Sequence, residues 1–148
     1  MRRAVRPSRR AIAVQLAIVV IAAGAGLPRL VAQEKKPEIS SAWVKLPAAG
    51  ETAAHAYAIV ENPTMYDFYV VSATADVAGS IEIRRAGKDG PVTEVTVPAY
   101  GQLSMNQQGV HLVLKDLKKP LAESDKVSLT LVTEVGTKLT VDAVVKKD

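Results

Sequence analysis

Few residues of this chain have side chains that could bind a soft metal ion. The 148 residues contain no cysteine, two histidines and three methionines, one of which is the initiator. The remaining candidates are His55, His111, Met65 and Met105. The absence of cysteine excludes a disulfide framework, a thiolate metal site and a cysteine nucleophile. Imidazole and thioether groups are therefore the only soft metal ligands in this sequence.

The two histidines do not lie in a pattern that is typical of an enzyme. Neither His55 nor His111 has an acidic residue next to it in the sequence. The chain also lacks a nucleophile-elbow pattern, a glycine-rich phosphate loop, a zinc-ligand helix and a calcium loop. A Ser–His–Asp arrangement has no support from spacing alone. We therefore expect a protein without enzymatic activity.

Alternation along the strands predicts which side of the sheet His111 occupies. In residues 110–114, Leu112 and Leu114 share one face, and His111 and Val113 share the other. The same alternation in residues 80–85 turns Arg84 outward. Because the leucines favour the core, we expect His111 and Arg84 on an outer sheet surface. The sequence leaves open whether they are neighbours.

The other candidate ligands have structural interpretations. His55 alternates with Tyr57 and Ile59, and we expect a partly buried histidine with a polar partner rather than a metal ligand. Met105 alternates with Leu103 and is expected to pack in the core. Met65 follows an Asn-Pro-Thr turn.

These side chains must be positioned by short strands. The sequence contains short segments rich in apolar and β-branched residues, and Gly, Pro, Asn and Asp separate them. The predicted strands are 39–45, 53–61, 68–75, 80–85, 92–97, 102–105, 110–114, 126–134 and 138–145. The last two flank Val135-Gly136-Thr137 and form a predicted hairpin. The sequence predicts an all-β Greek-key sandwich of eight or nine strands, preceded by an N-terminal signal helix.

Residues 1–32 have the order of a secretory signal peptide, with a basic stretch at 2–10 followed by an uncharged apolar run at 11–27. A retained membrane anchor is the alternative, and only then would the protein contact a membrane. Residues 8–12 also resemble a twin-arginine signal. We expect residues 33–38 to be a flexible leader and residues 39–148 to be the folded domain.

The charge distribution excludes nucleic acid as a partner. The whole chain has a formal charge of +4, but residues 1–32 hold six of its 19 basic residues and none of its 15 acidic ones. The remainder has 13 basic and 15 acidic residues, and so a net charge of −2. It contains no basic stripe interleaved with aromatic residues.

The order of these segments resembles that of periplasmic copper chaperones of the PCu(A)C type, which are small secreted cupredoxin-like sandwiches. The matching segments are ISSAWV at 39–44, AHAYAIVEN at 54–62, DFYVVSA at 67–73, SIEI at 80–83, VTVPA at 95–99, GVHLVL at 109–114, and the strands at 126–133 and 139–145. The resemblance implies a cupredoxin-like fold and export to the periplasm or cell envelope. It also implies a periplasmic or membrane-bound copper protein as partner.

The copper motif of that family is only partly present. In the family, a histidine follows a Glu-Ile or Glu-Leu pair, a methionine comes next, and a His-x-Met pair completes the set. Here Arg84 occupies the position of the first histidine, Asp89 that of the first methionine and Val113 that of the last methionine. Only His111 matches the motif. A guanidinium cannot coordinate a metal, and a carboxylate is a hard ligand poorly suited to Cu(I). The resemblance therefore implies that the copper site is lost or weakened, with His111 as the remaining metal candidate.

Two functions from different classes follow from this sequence. The first is a secreted copper-chaperone-like metal carrier, which predicts His111 in an accessible pocket near Met105, His55 or a partner's ligands. The second is an envelope binding or scaffolding sandwich that has lost the metal and binds a protein partner. The second predicts a contiguous exposed apolar patch.

Overall fold

The computed structural model describes residues 33–148. The predicted signal peptide, with its alternative of a retained anchor, lies outside the described residues. Within residues 33–148, no helical segment has the length and hydropathy needed to cross a bilayer.

The described residues form nine strands, as the spacing of apolar segments predicts. They are β1 (Glu38–Lys45), β2 (Ala54–Glu61), β3 (Phe68–Ala75), β4 (Ala78–Arg85), β5 (Val95–Val97), β6 (Gln102–Ser104), β7 (Val110–Leu117), β8 (Lys126–Thr133) and β9 (Lys138–Lys146). The all-β fold class is confirmed. Most strand limits differ from the predicted ones by one or two residues, and β7 continues three residues further because it pairs with the whole of β4.

All nine strands belong to one curled sheet. The strand order is β4-β7-β2-β1-β9-β8-β3-β5, and β6 pairs with β2. The neighbouring strands are antiparallel except β1 and β9, which run parallel over three residue pairs. This short parallel junction connects the β4-β7-β2-β1 half to the β9-β8-β3-β5 half. The two halves enclose one hydrophobic core.

The alternation of apolar residues fixes the core face of the central strands. Leu112 and Leu114 of β7 are fully buried, as are Val127, Leu129 and Leu131 of β8. Burying a leucine side chain contributes about 1.5–3 kcal/mol to folding. The intervening residues of β7 therefore face the outside of the sheet, which is the side on which the candidate site lies.

One predicted strand is shorter in the structure. The sequence predicts a strand at 92–97, but β5 spans only Val95–Val97. Pro91 forms an isolated bridge with Arg84, and the amide of Val92 donates a hydrogen bond to the carbonyl oxygen of Ile83 (2.8 Å). These residues still pair with β4, whereas Val95–Val97 pairs with β3. The segment is divided because the chain crosses between two strands.

Candidate functional site

Strands β4, β7 and β2 place three of the four predicted site positions side by side. Arg84 on β4 lies directly opposite His111 on β7. Val113 lies between Glu82 on β4 and His55 on β2. The common face that alternation predicts for Arg84 and His111 is observed, and the two residues are neighbours.

The structure also brings the two histidines together. The ring centroids of His55 and His111 are 5.5 Å apart, and the ring planes are tilted by 44°. Tyr57 lies next to them, with its ring centroid 6.5 Å from that of His111. Trp43 packs against Tyr57 at 4.7 Å. A continuous row of two imidazoles and two aromatic rings therefore crosses β7, β2 and β1.

One contact determines which nitrogen of His111 carries a proton. The Nδ1 atom lies 3.2 Å from the carbonyl oxygen of Gly109. A carbonyl oxygen can only accept a hydrogen bond, so Nδ1 is the protonated nitrogen when this contact forms. The Nε2 lone pair of a neutral His111 is then free to bind a ligand.

His55 and His111 share a cleft of about 520 Å³. Its wall also includes Lys45, Glu51, Tyr57 and Gln107. The Lys45 ammonium lies 2.6 Å from the carboxylate of Asp148, which raises the pKa of Lys45. The cleft therefore contains two imidazoles, an acidic side chain and a lysine whose charge is paired.

His55 differs from the sequence expectation. Its side chain is exposed to solvent, and within residues 33–148 its ring has no hydrogen-bond partner. Partial burial lowers its pKa, and the charges of His111 and Lys45 lower it further, whereas Glu51 raises it. The ring is therefore neutral near pH 7. Tyr57 on the same strand face is buried and packs against Trp43.

The guanidinium of Arg84 is hydrogen-bonded to the carboxylate of Glu82 on the same strand. Its Nε and Nη2 atoms donate to one oxygen of Glu82, at 2.8 and 2.6 Å. The Lys115 ammonium donates to the other oxygen at 2.7 Å. The hydrogen bonds from Lys115 and then Arg84 lower the pKa of Glu82. This cluster of two cations and one anion leaves a net positive charge beside His111.

The remaining predicted positions do not contribute a metal ligand to this cleft. Asp89 lies in the turn after β4 and lines a separate surface depression with Arg85 and Lys88. Val113 is buried and has no donor atom, and Met105 is packed in the hydrophobic core. Residues 33–148 contain no group of three or more His, Asp or Glu side chains that could hold a metal ion.

Sequence reasoning named His55 only as one of several alternatives near His111, and it did not single out this pair. The two residues are 56 positions apart, and they meet only because β2 pairs with β7. Alternation assigns each histidine to a face, but it does not say which strands are neighbours. The one available signal was that both histidines alternate with apolar residues on short strands.

Comparison with known proteins places the chain in a family. A protein-family model described as "Putative lipoprotein LpqE-like" matches residues 38–145. The chain belongs to this family. A relative named "Putative lipoprotein Lxx21020", from Leifsonia xyli subsp. xyli (strain CTCB07), is 34% identical over 101 residues. That match covers 64% of this chain and 60% of the relative, so the chain spans less than two thirds of the relative's length.

Solved structures share the fold of this LpqE-like domain. The apo PCuAC domain from PmoF1 matches with a TM-score of 0.70 at 24% identity, covering 77% of this chain and 96% of its own. The copper-bound PCuAC domain from PmoF2 matches with a TM-score of 0.68 at 24% identity, covering 77% and 95%. The Cu(I) form of DR1885 from Deinococcus radiodurans has a TM-score of 0.64 at 29% identity, covering 79% and 83%. The resemblance to PCu(A)C domains and their cupredoxin-like fold is confirmed.

Proposed function

We propose that this LpqE-like domain is an exported, non-enzymatic metal-carrier fold in which the Cu(I) site of the PCu(A)C family is lost or weakened. The observation that carries the proposal is the position of Arg84 directly opposite His111. The resemblance puts a histidine ligand at the position of Arg84. A permanently charged guanidinium there has no lone pair to donate, and it repels a cation.

The residues at Val113 and Met105 support the same conclusion. Cu(I) prefers soft thioether and thiolate ligands. The position two residues after His111 holds Val113, which is 8% exposed and has no donor atom. Met105 is 6% exposed and belongs to the core cluster, so its thioether is not presented to the cleft. The residues at the family's ligand positions therefore do not fit Cu(I).

Export and location rest on the N-terminal sequence and on the family. The basic and apolar order of residues 1–32 predicts an export signal, and the family description and the relative's name both contain the word lipoprotein. The 148 residues contain no cysteine that could carry a thioether-linked lipid, so we do not propose a lipid anchor of that kind for this sequence. We place the protein in the periplasm or cell envelope, with a copper protein of that compartment as its partner.

Competition for Cu(I) tests the proposal. The purified full chain would be titrated with Cu(I) in the presence of a chromophoric Cu(I) chelator. We expect the chelator to retain the metal, because imidazole groups without a sulfur ligand, beside a net positive cluster, make a poor Cu(I) site. Tight binding of one equivalent that His111→Ala abolishes would overturn the proposal.

An exposed apolar surface favours a second function, the non-metal scaffold that binds a protein partner. Met65, Tyr66, Tyr100 and Val135 are between 60% and 78% exposed. The amide of Tyr100 donates to the carbonyl oxygen of Thr64 (2.9 Å), which joins two of these loops. Tyr66 and Val135 line one shallow groove. Large exposed apolar side chains that cluster in this way are typical of interaction surfaces.

The backbone of Tyr100 adds to this second interpretation. Its φ of 52° lies in the left-handed region, which costs a residue with a Cβ about 1–2 kcal/mol. Strained backbone positions of this kind cluster at functional sites. A photo-crosslinker at position 100 would then capture a specific partner in cells, whereas one at Thr74, an exposed residue of β3, would not. Equal labelling at both positions would remove this alternative.

A further inference from the structure

We propose that His55 and His111 form a two-imidazole site for a divalent ion of the copper, nickel and zinc class. This site uses a ligand from β2 that does not belong to the family motif described above. The inference deepens the proposed function, because it rests on the same metal-carrier fold and names the ions that the altered site would accept. The experiments below separate the two claims.

The distance between the two rings fits a shared metal ion. Zinc–nitrogen bonds are about 2.0–2.1 Å long, so each ring centroid would lie about 3.2 Å from the ion. A tetrahedral angle at the ion then separates the two centroids by about 5.2 Å. The observed separation of His55 and His111 is 5.5 Å.

Both imidazoles are suited to the role of ligand. The Nδ1 contact of His111 with the Gly109 carbonyl oxygen leaves Nε2 available, and it also orients the ring. Metal-bound histidines commonly donate their second ring nitrogen to a carbonyl in this way. The His55 ring has no hydrogen-bond partner within residues 33–148 and is open to solvent. Neither ring must break a side-chain interaction in order to bind an ion.

The strand order places the His55–His111 pair away from the guanidinium of Arg84, which disfavours the Cu(I) site of the family. Strand β7 lies between β4, which carries Arg84, and β2, which carries His55. Arg84 is also held by Glu82 on its own strand. On the β2 side, the cleft wall includes Lys45, Glu51 and Gln107, and the Lys45 ammonium is paired with Asp148. An ion held by both rings would therefore lie on the side of His111 away from Arg84, in a cleft with one paired lysine and one acidic side chain.

The ligand set determines the class of ion. Imidazole suits Zn²⁺, Cu²⁺ and Ni²⁺, whereas Cu(I) sites in proteins favour sulfur ligands. A cleft of about 520 Å³ leaves room for water molecules to complete the coordination. Two protein ligands with the other positions open make an exchangeable site rather than a closed structural one. Such a site fits a carrier that releases its ion.

Calorimetric titration of the full chain with Zn²⁺ and Ni²⁺ tests the inference. We expect one ion per chain, with the affinity reduced more than about tenfold by either His55→Ala or His111→Ala, since a single imidazole remains. Cu²⁺ added to the wild-type protein should give an electron paramagnetic resonance signal with coupling from two imidazoles. His55→Ala should reduce this coupling to that of one imidazole.

A matched control keeps the number of histidines constant. In the double variant His55→Ala with Thr74→His, a histidine is moved to an exposed position on β3. We expect this variant to bind as weakly as His55→Ala alone, and thermal unfolding should show that each variant is folded. Unchanged affinity in folded His55→Ala would overturn the inference and leave the proposed loss of the Cu(I) site standing. Tight Cu(I) retention by folded His55→Ala would instead overturn the proposed function.

Discussion

Arg84 and His111 face each other across the β4–β7 ladder, and Glu82 holds the guanidinium through hydrogen bonds of 2.8 and 2.6 Å. This relationship explains why a domain with the fold of copper-binding PCuAC domains need not bind copper in their manner. The Arg84 guanidinium lies at the position where the family resemblance implies a histidine ligand, and the Glu82 carboxylate accepts its hydrogen bonds. On the other side of His111, a second imidazole from β2 lies 5.5 Å away.

The hydrogen bonds to Glu82 predict a measurable titration. The pKa of Glu82 is lowered from its ordinary value, first by the hydrogen bond from Lys115 and then by that from Arg84. A lowered folded-state pKa means that the contribution to stability is present above the ordinary pKa and is lost as the pH falls through the lowered one. Carboxyl-carbon chemical shifts followed against pH should show Glu82 titrating below the ordinary range of a glutamate side chain.

The variant Lys115→Met should raise the pKa of Glu82 toward its ordinary value, because it removes the largest of the lowering interactions. Lys147→Met is the matched control, since Lys147 lies 3.8 Å from Glu123 and does not interact with Glu82. An identical Glu82 midpoint in the wild type and in Lys115→Met would show that the ion pair does not form in solution.

Asn62 should be important for stability because it is the most buried polar side chain of the core. It is 1% exposed, and its amide donates to the carbonyl oxygens of Tyr66 and Val97 at 2.8 and 3.1 Å. Its side-chain oxygen accepts hydrogen bonds from the amide and hydroxyl of Thr64. Asn62→Ala leaves these groups unsatisfied, so we expect the free energy of unfolding in urea to fall by about 1–3 kcal/mol.

The matched control for this prediction is Asn106→Ala. Asn106 is exposed, and its side-chain oxygen accepts a hydrogen bond from the Gln108 amide within a turn. We expect that substitution to cost about 1 kcal/mol or less. Equal effects of the two substitutions would show that the loop following β2 is not anchored to the core through Asn62.

Leu112 tests the packing beneath the candidate site. It is fully buried and lies between His111 and Val113 on β7. Leu112→Ala should lower the free energy of unfolding by about 2–5 kcal/mol through lost burial and a new cavity. Val135→Ala, at a position 78% exposed, should change it by about 0.5 kcal/mol or less. A small effect of Leu112→Ala in urea unfolding would contradict the assignment of the core face.

The strands and their core face could be predicted because they depend on local alternation. Val127, Leu129 and Leu131 alternate with polar residues in the sequence, and all three are fully buried. The same rule placed His111 and Arg84 on one face. It failed at residues 92–97, because the choice between pairing with β4 and pairing with β3 depends on the path of the chain.

The sequence predicted only some of the residues that line the site, because strand pairing decides which side chains become neighbours. The positions of Arg84, His111 and Val113 follow from the family motif, but their neighbours depend on which strands pair. Because β2 pairs with β7, His55 comes next to His111. Such a nonlocal pairing leaves no mark in the sequence spacing. Asp89, which the motif aligns with a ligand, lies in a turn that lines a different depression.

The proposed loss of the Cu(I) site can be examined by rebuilding the family's ligands. The double variant Arg84→His with Val113→Met supplies a second imidazole opposite His111 and a thioether two residues after it. Because i and i+2 side chains project from one face of a strand, the new methionine should lie beside His111. We expect this variant to bind Cu(I), and Arg85→His with Val113→Met, which places the new histidine on the adjacent position of β4, to bind it much less.

The most direct test of the account compares the wild-type chain with Arg84→His/Val113→Met in the same Cu(I) competition assay. We predict that the chelator removes Cu(I) from the wild type, whereas the rebuilt variant retains about one equivalent through its imidazole and thioether ligands. Retention of one equivalent by the wild type, as tight as in the variant and abolished by His111→Ala, would contradict the account.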